Sequence, residues 1–277
     1  MTFLVTGATG RAGRHVVRQL LSEGHPVRAL TRDPERAAAV LPAGAEIVRG
    51  DLTDPRTARQ ALQGVVGVHL LTVGGDDYAT LRTGPELAAL AEEAGVARVA
   101  VLWNGQSGPV EEAFLAGSLE TTLLQPTDFM GNTLGWAAAI GSRAGVSEPF
   151  GDVPIAVVHE GDVGAVSARV LADGGHGGRA YPLTGPEPLT PRQRLATIAE
   201  VVGRDLAFDE LTEEQAKQRW REAGHAEELV EILAAWQGDP PAEARTVSPF
   251  VAQLTGREPR SFEQWVRDHA VQFQPAP

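Results

Sequence analysis

The sequence predicts an α/β protein built on a doubly wound parallel sheet, followed by a smaller, mainly helical region. Three observations carry that reading. Short apolar and β-branched runs alternate with helical patterns through the first half, the signature of parallel βαβ units. Between the first run and the first helical stretch lies "VTGATGRAG", with glycines at 7, 10 and 13. Beyond Phe129 the alternation loosens, and from Arg179 onward one short strand gives way to helices.

In chain order, strands are expected at 2–6 ("TFLVT"), 27–31 ("VRALT"), 45–49 ("AEIVR"), 66–71 ("VGVHLL"), 98–102 ("RVAVL") and 121–125 ("TTLLQ"). Several are continuous apolar runs, as expected of strands with helices on both faces. "DPRTARQALQG" places Asp54 as N-cap, Pro55 in the first turn and Gly64 at the exit. "NTLGWAAAIGSRAG" reads as a helix leaving the sheet, "PIAVVH" at 154–159 as a strand, and "DVGAVSARVLADGG" as a returning helix. Later helices start at Thr190 and Thr212, and "GDPPAE" at 238–243 reads as a loop.

Composition narrows the function. With 24 basic and 36 acidic residues the 277-residue chain carries a formal charge of −12, which repels nucleic-acid backbones. The absence of cysteine removes disulfides and thiolate metal sites, and "HEGDV" at His159 has Val163 where a second metal-ligating His would stand. No metal is expected. No run approaches ~20 apolar residues, and Met1 leads directly into a strand without a basic leader, so a cytoplasmic protein without membrane contact is expected. Of the basic residues only Lys217 is lysine.

The G-x-x-G-x-x-G spacing sits between a strand and an amphipathic helix, where it forms a dinucleotide cradle. Gly7 permits the tight turn, Gly10 admits a pyrophosphate and Gly13 lets the helix pack on the strand, with Thr9, Arg11 and Ala12 completing the loop. After the second strand, where an NAD site carries Asp or Glu, stand Thr31 and Arg32. A 2′-phosphate carries roughly −1.5 to −2 charges and suits a guanidinium, so NADP(H) is the expected cofactor. Asp51 and Leu52 follow the third strand toward the adenine, and Thr72, Val73 and Gly74 follow the fourth toward the inner ribose.

These residues resemble the NmrA-like branch of the atypical short-chain dehydrogenase/reductases, which includes triphenylmethane and quinone reductases. The likeness rests on "TGATGRAG", "TRDP", "GDLTDP", "LLQPTDFMGN", "GRAYPLTGPEPLT" and "LTGREPRSFEQWVRDHAVQF", and spans most of the chain. It implies a Rossmann sheet (1–130 and 152–178) that binds NADP(H), with a mixed, mainly helical C-terminal substrate lobe (131–151 and 179–277) and a cleft between them. By position it implies Pro126 and Phe129 against the nicotinamide, with Met130 and Asn132 in the cleft wall. Gln125 stands where the family usually has Arg.

One family feature is missing. A short-chain dehydrogenase takes its proton from Tyr in Y-x-x-x-K, but Tyr78 and Tyr181 are followed four residues later by Arg82 and Gly185. Trp103 and Asn104 occupy the place of the usual Ser. Loss of a positioned acid costs about 10²- to 10⁴-fold in rate. Reducing a simple ketone makes a strongly basic alkoxide, whereas a quinone or conjugated acceptor gives an anion with a pKa of about 10, as for tyrosine, that waits for water.

The expected reaction is therefore NADPH-dependent reduction of a quinone or conjugated aromatic carbonyl compound, as in a ketoreductase or quinone reductase of secondary metabolism. The alternative is a non-catalytic NADP(H)-binding redox sensor acting on a protein partner. A small aromatic substrate and a homodimer are the candidate partners. Asn104 and Gln106 either bind a substrate carbonyl or cap the interrupted strand. Asp128 either caps its loop or serves the site, while Glu111 and Glu112 fit first-turn helix acids. Trp103, Phe129 and Trp136 are candidate walls of an apolar pocket or else ordinary core, and His159, at the end of its strand, is a candidate to reach the cleft.

Overall fold

The apolar runs become strands close to the expected positions. In the computed structural model, which describes residues 1–75, 79–142 and 145–275, the strands are β1 (Thr2–Val5), β2 (Val27–Thr31), β3 (Glu46–Arg49), β4 (Val65–Leu71), β5 (Val73–Gly74), β6 (Ala79–Thr80), β7 (Arg98–Leu102), β8 (Glu120–Pro126), β9 (Val146–Pro149), β10 (Ala180–Leu183) and β11 (Phe208–Leu211). Seven form one sheet in the order β10-β8-β7-β4-β1-β2-β3, and every pairing within it is parallel. The chain builds β1, β2 and β3 outward in one direction, then places β4 on the other side of β1. That reversal makes a crevice beyond the carboxyl ends of β1 and β4.

The chain divides into two units. The first comprises Met1–Pro126, Glu160–Leu183 and Phe250–Arg257. Here Leu4, Leu30, Val68, Leu70, Val99 and Val101 from the sheet pack with Ala58, Leu62, Leu87, Ala91 and Phe114 from the helices. Burial of these side chains, at about 25 cal/mol per Å² of apolar surface, is the main favourable term for this layer. Local chemistry sets the crossings. Asp54 accepts from Arg56 N with Pro55 opening the Pro55–Leu62 helix, and Asp33 accepts from Arg36 N at the start of Pro34–Val40.

The second unit comprises Thr127–His159, Thr184–Pro249 and Glu258–Pro277. Its helices Pro191–Val202 and Glu213–Glu222 start with capping boxes at Thr190 and Thr212, as the sequence leads one to expect. Ile140, Ile198, Phe262, Trp265 and Phe273 form its main core. Trp220, Val230 and Ala234 form a smaller one between Glu213–Glu222 and Glu227–Gly238. Between these two helices Lys217 contacts Glu213 and Glu231, each at 2.9 Å.

One expected element is absent. Residues 154–159 make only isolated bridges, Ile155 with Leu189 and Phe129 with Val158. The backbone donors of the segment diverge: Ile155 N reaches Leu189 O, Ala156 N reaches Ala244 O and Val158 N reaches Asp128 O. Its apolar side chains are buried on all sides, but no single neighbour runs alongside to make a ladder. No described helix is long and apolar enough to cross a membrane.

Candidate functional site

The glycine loop sits at the sheet's switch point. Thr6 Oγ1 donates to His69 O at 3.0 Å and accepts from Leu71 N at 2.9 Å, tying the end of β1 to β4. Gly7 then turns with φ +57°, where a Cβ would lie 2.3 Å from Leu71 Cδ1. A Cβ on Gly13 would fall 2.2 Å from the Gly7 carbonyl oxygen. Gly10 N donates to that same oxygen at 2.8 Å, while Gly10 and Arg11 are exposed and Ala12 is buried. The Gly13–Ser22 helix has no side-chain cap and no acid in its first turn. Its positive dipole end therefore suits an anion.

The neighbouring loops differ in how far their polar groups are engaged. Arg32 is exposed beyond β2. Asp33, the acid beside it, is turned into its own helix as a cap. Asp51 Oδ1 accepts from Thr53 N and Thr53 Oγ1, which shapes the loop after β3, and Leu52 is buried beneath it. Beyond β4, Thr72 is 1% exposed with a hydroxyl lacking any hydrogen-bond partner, and Val73 and Gly74 pair with Thr80 and Ala79.

After β7 the chain breaks into the loop 103–108. Trp103 N still donates to Leu124 O at 2.9 Å, so the backbone of β7 extends one residue past its last sheet pairing. Asn104 Oδ1 accepts from Gln106 N at 3.2 Å, and both side chains are exposed. The loop-capping role of Asn104 is thus visible in its carbonyl oxygen.

Glu111 and Glu112 both fall in the first turn of the Pro109–Ala116 helix, as expected, but their burial differs. Glu112 is exposed, but Glu111 is 3% exposed and neither of its carboxylate oxygens makes a hydrogen bond of good geometry. Burial raises its pKa above the ordinary 4.5, partly opposed by backbone N–H groups at the helix start. A helix dipole is worth about 0.3–1 kcal/mol to such a charge, whereas burying an unpaired ion costs several kcal/mol. Desolvation wins, so the folded protein holds this proton more tightly than the unfolded chain. Stability is then highest below the ordinary carboxylate pKa and falls as pH rises through the raised folded value. Glu111→Gln should raise Tm by about 2–4 °C at pH 8 and leave it unchanged at pH 4. An unchanged or lower Tm at pH 8 in calorimetry contradicts this account.

In the second unit the structure brings Asp128, Asn132 and Trp136 together around a cavity of about 220 Å³. Asn132 Nδ2 donates to Asp128 Oδ1, and Trp136 Nε1 donates to Glu148 Oε1 at 2.8 Å. Met130 and His159 are buried but not among the residues lining that cavity. Phe129 bridges to Val158, while Pro126 ends β8 opposite Leu183. Arg194, Glu148, Phe150 and Trp236 also line the cavity, and sequence reasoning missed all four. Nothing in "TPRQRLAT" separates the buried Arg194 from the half-buried Arg192.

The described tyrosine and the lysine are engaged elsewhere. The Tyr181 hydroxyl lies 2.8 Å from His176 Nδ1 and its ring meets Phe250 edge-on. Lys217 is held by its two glutamates. Tyr78 lies outside the described residues.

An all-parallel sheet whose strand order reverses beside a glycine-lined, uncapped helix start defines a Rossmann dinucleotide-binding protein. Residues 7–125 match the family described as NAD(P)H-binding. The chain is 35% identical to a (4-alkanoyl-5-oxo-2,5-dihydrofuran-3-yl)methyl phosphate reductase of Streptomyces griseus, over 98% of this chain and 99% of that enzyme. It is 30% identical to an NAD(P)H azoreductase of Xenophilus azovorans, over 98% of each. Its fold is similar to that of the Escherichia coli NADPH-dependent quinone oxidoreductase QOR2 in complex with NADPH, with a TM-score of 0.81, 24% identity, and coverage of 96% of this chain and 99% of the other. The chain belongs to the NmrA-like branch of the atypical short-chain dehydrogenase/reductases, an NAD(P)H-binding family.

Proposed function

We propose that the protein is a cytoplasmic NADPH-dependent reductase of quinones or conjugated carbonyl compounds, with tailoring of a secondary metabolite as its setting. The relationship over nearly the whole chain to a reductase of a conjugated lactone carries this reading. In a 4-alkanoyl-5-oxo-2,5-dihydrofuran the ring double bond is conjugated with two carbonyl groups. Its reduction passes negative charge to oxygen, so no strongly basic alkoxide forms and a dedicated proton donor is dispensable.

The residues fit the cofactor: a glycine turn packed as tightly as Gly7 on Leu71 and Gly13 on the Gly7 carbonyl, leading into a helix start without a side-chain cap, is the arrangement that receives a pyrophosphate. Gly7, Thr9, Gly10, Arg11, Ala12 and Gly13 would hold the phosphates, and Arg32 the 2′-phosphate. Asp51 and Leu52 would border the adenine, Thr72, Val73 and Gly74 the ribose, and Pro126 and Phe129 the nicotinamide. When bound, NADPH supplies the hydride. The protein supplies orientation and a pocket walled in part by aromatic rings. Trp103, Met130, Asn132, Trp136 and His159 belong to the acceptor side of this reading, with Asn104, Gln106 and Asp128 as its polar groups.

The test mixes purified protein with NADPH and three acceptors, 1,4-naphthoquinone, a 2-acylbutenolide and cyclohexanone, and follows the nicotinamide absorbance. Consumption with the two conjugated acceptors and none with cyclohexanone is expected. No consumption with either conjugated acceptor, or equal consumption with cyclohexanone, would sink the proposal.

A further inference from the structure

The cavity of the second unit has an unbalanced set of polar groups. Arg194 is the fourth residue of the Pro191–Val202 helix and is nine-tenths buried. Its guanidinium lies over Trp136, with Cζ 5.2 Å from the ring centroid. Nε is buried with no hydrogen-bond partner. The Asp128 carboxylate is 3.9 Å from Nη1, too far for a hydrogen bond. The Thr133 hydroxyl, also on the cavity, is buried and unpartnered.

The acidic groups are in the opposite condition. Asp128 accepts from Asn132, and Glu148 accepts from Trp136 Nε1 and, at 2.7 Å, from Arg219 Nη2. Among the charged groups of the cavity, Arg194 is therefore the one with a buried donor left without a partner, while each carboxylate has one. Burying a guanidinium without acceptors destabilises a fold, and an apolar side chain of similar size would serve packing better. Desolvation lowers the Arg194 pKa, and the nearby carboxylates only oppose this.

We infer that this cavity binds a flat, conjugated monoanion, and that the Arg194 guanidinium donates to its charged oxygen. Charge-assisted bonds of this kind are about twice as strong as neutral ones. Trp136, Phe150 and Trp236 supply the aromatic walls. An apolar cavity of about 150 Å³ accommodates benzene, so about 220 Å³ leaves room for a second fused ring. A phosphate dianion is disfavoured, because Asp128 and Glu148 face the same space. The site thus prefers charge spread over a ring, as in a hydroxyquinone or the enolate of a 1,3-dicarbonyl. That this anion is the acceptor or its reduced product rests on the reductase reading; the site itself does not.

The test is calorimetric binding without nucleotide. The probes at pH 7 are 2-hydroxy-1,4-naphthoquinone, a vinylogous acid that is anionic there, neutral 1,4-naphthoquinone, and 1-naphthyl phosphate. The hydroxyquinone should bind at least tenfold more tightly than the neutral quinone, on the scale of one charged hydrogen bond. Arg194→Gln should bring the two within about twofold, and Arg194→Lys should keep part of the preference. Arg192→Gln, at a half-buried residue paired with Glu210 and outside the cavity lining, should leave it intact. Acidification that protonates the hydroxyquinone should remove the preference in the parent, a check that needs no variant. Equal affinities in the parent, or an unchanged preference in Arg194→Gln, overturn the inference. Tighter binding of 1-naphthyl phosphate than of the hydroxyquinone overturns it in favour of a phosphate pocket. Since no NADPH is present, failure of turnover leaves this result untouched, and failure of anion preference leaves turnover untouched.

Discussion

Gly13→Ala should abolish nucleotide binding and lower thermal stability together. The added methyl would lie 2.2 Å from the carbonyl oxygen of Gly7 and 2.8 Å from its carbon. Both are backbone atoms, so no side chain can rotate away. Relief must come from opening the loop, which moves the Gly10 amide off the Gly7 oxygen and turns the helix start away from the pyrophosphate position. Overpacking of this kind costs about 1–3 kcal/mol, a fall in Tm of about 3–10 °C for a chain of this size. Loss of two charged hydrogen bonds to phosphate, at about 1.5–3 kcal/mol each, weakens NADPH by at least about 100-fold. Gly135→Ala is the control, since its methyl meets nothing within 4 Å. Parent-like NADPH affinity in Gly13→Ala would remove the loop from the site.

Arg32→Ala should weaken NADPH by about 10- to 100-fold, the worth of one charge-assisted contact to the 2′-phosphate, and leave NADH nearly unchanged. The structure strengthens the case by accounting for Asp33. Its carboxylate is occupied by Arg36 N, and Asp33 N donates to Thr31 Oγ1, so the acid beside Arg32 has a local task. Titration of both nucleotides against parent and variant decides the matter. Equal affinity of the parent for NADH and NADPH would remove the phosphate assignment altogether.

What the sequence makes legible follows from how local its causes are. A strand covered on both faces advertises itself as an apolar run, which is why β2 and β7 fall where expected. Caps are equally local, and Asp54, Thr190 and Thr212 stand at helix starts. The run 154–159 shows the limit. Ile155–Val158 announces burial, and burial without a parallel neighbour looks identical in one dimension. Buried charges are harder still. Glu111 and Glu112 are adjacent, as nearly are Arg192 and Arg194, yet only one of each pair is enclosed. That difference comes from packing partners distant in sequence, such as Trp136 beneath Arg194. The glycine cradle is legible because its demand is on the backbone itself, whereas the cavity of the second unit emerges only when separate segments meet.

The ion-paired Lys217 has a practical consequence for handling the protein. It carries the only side-chain amine in the chain, and its two glutamates push its pKa upward. A reagent that acylates uncharged amines near neutral pH will find it protonated and only 12% exposed as a side chain. Met1 is 81% exposed, so an α-amino group there reacts first. A single fluorophore or surface linker can then be placed at one end of β1, leaving every arginine of the proposed nucleotide and anion sites unmodified.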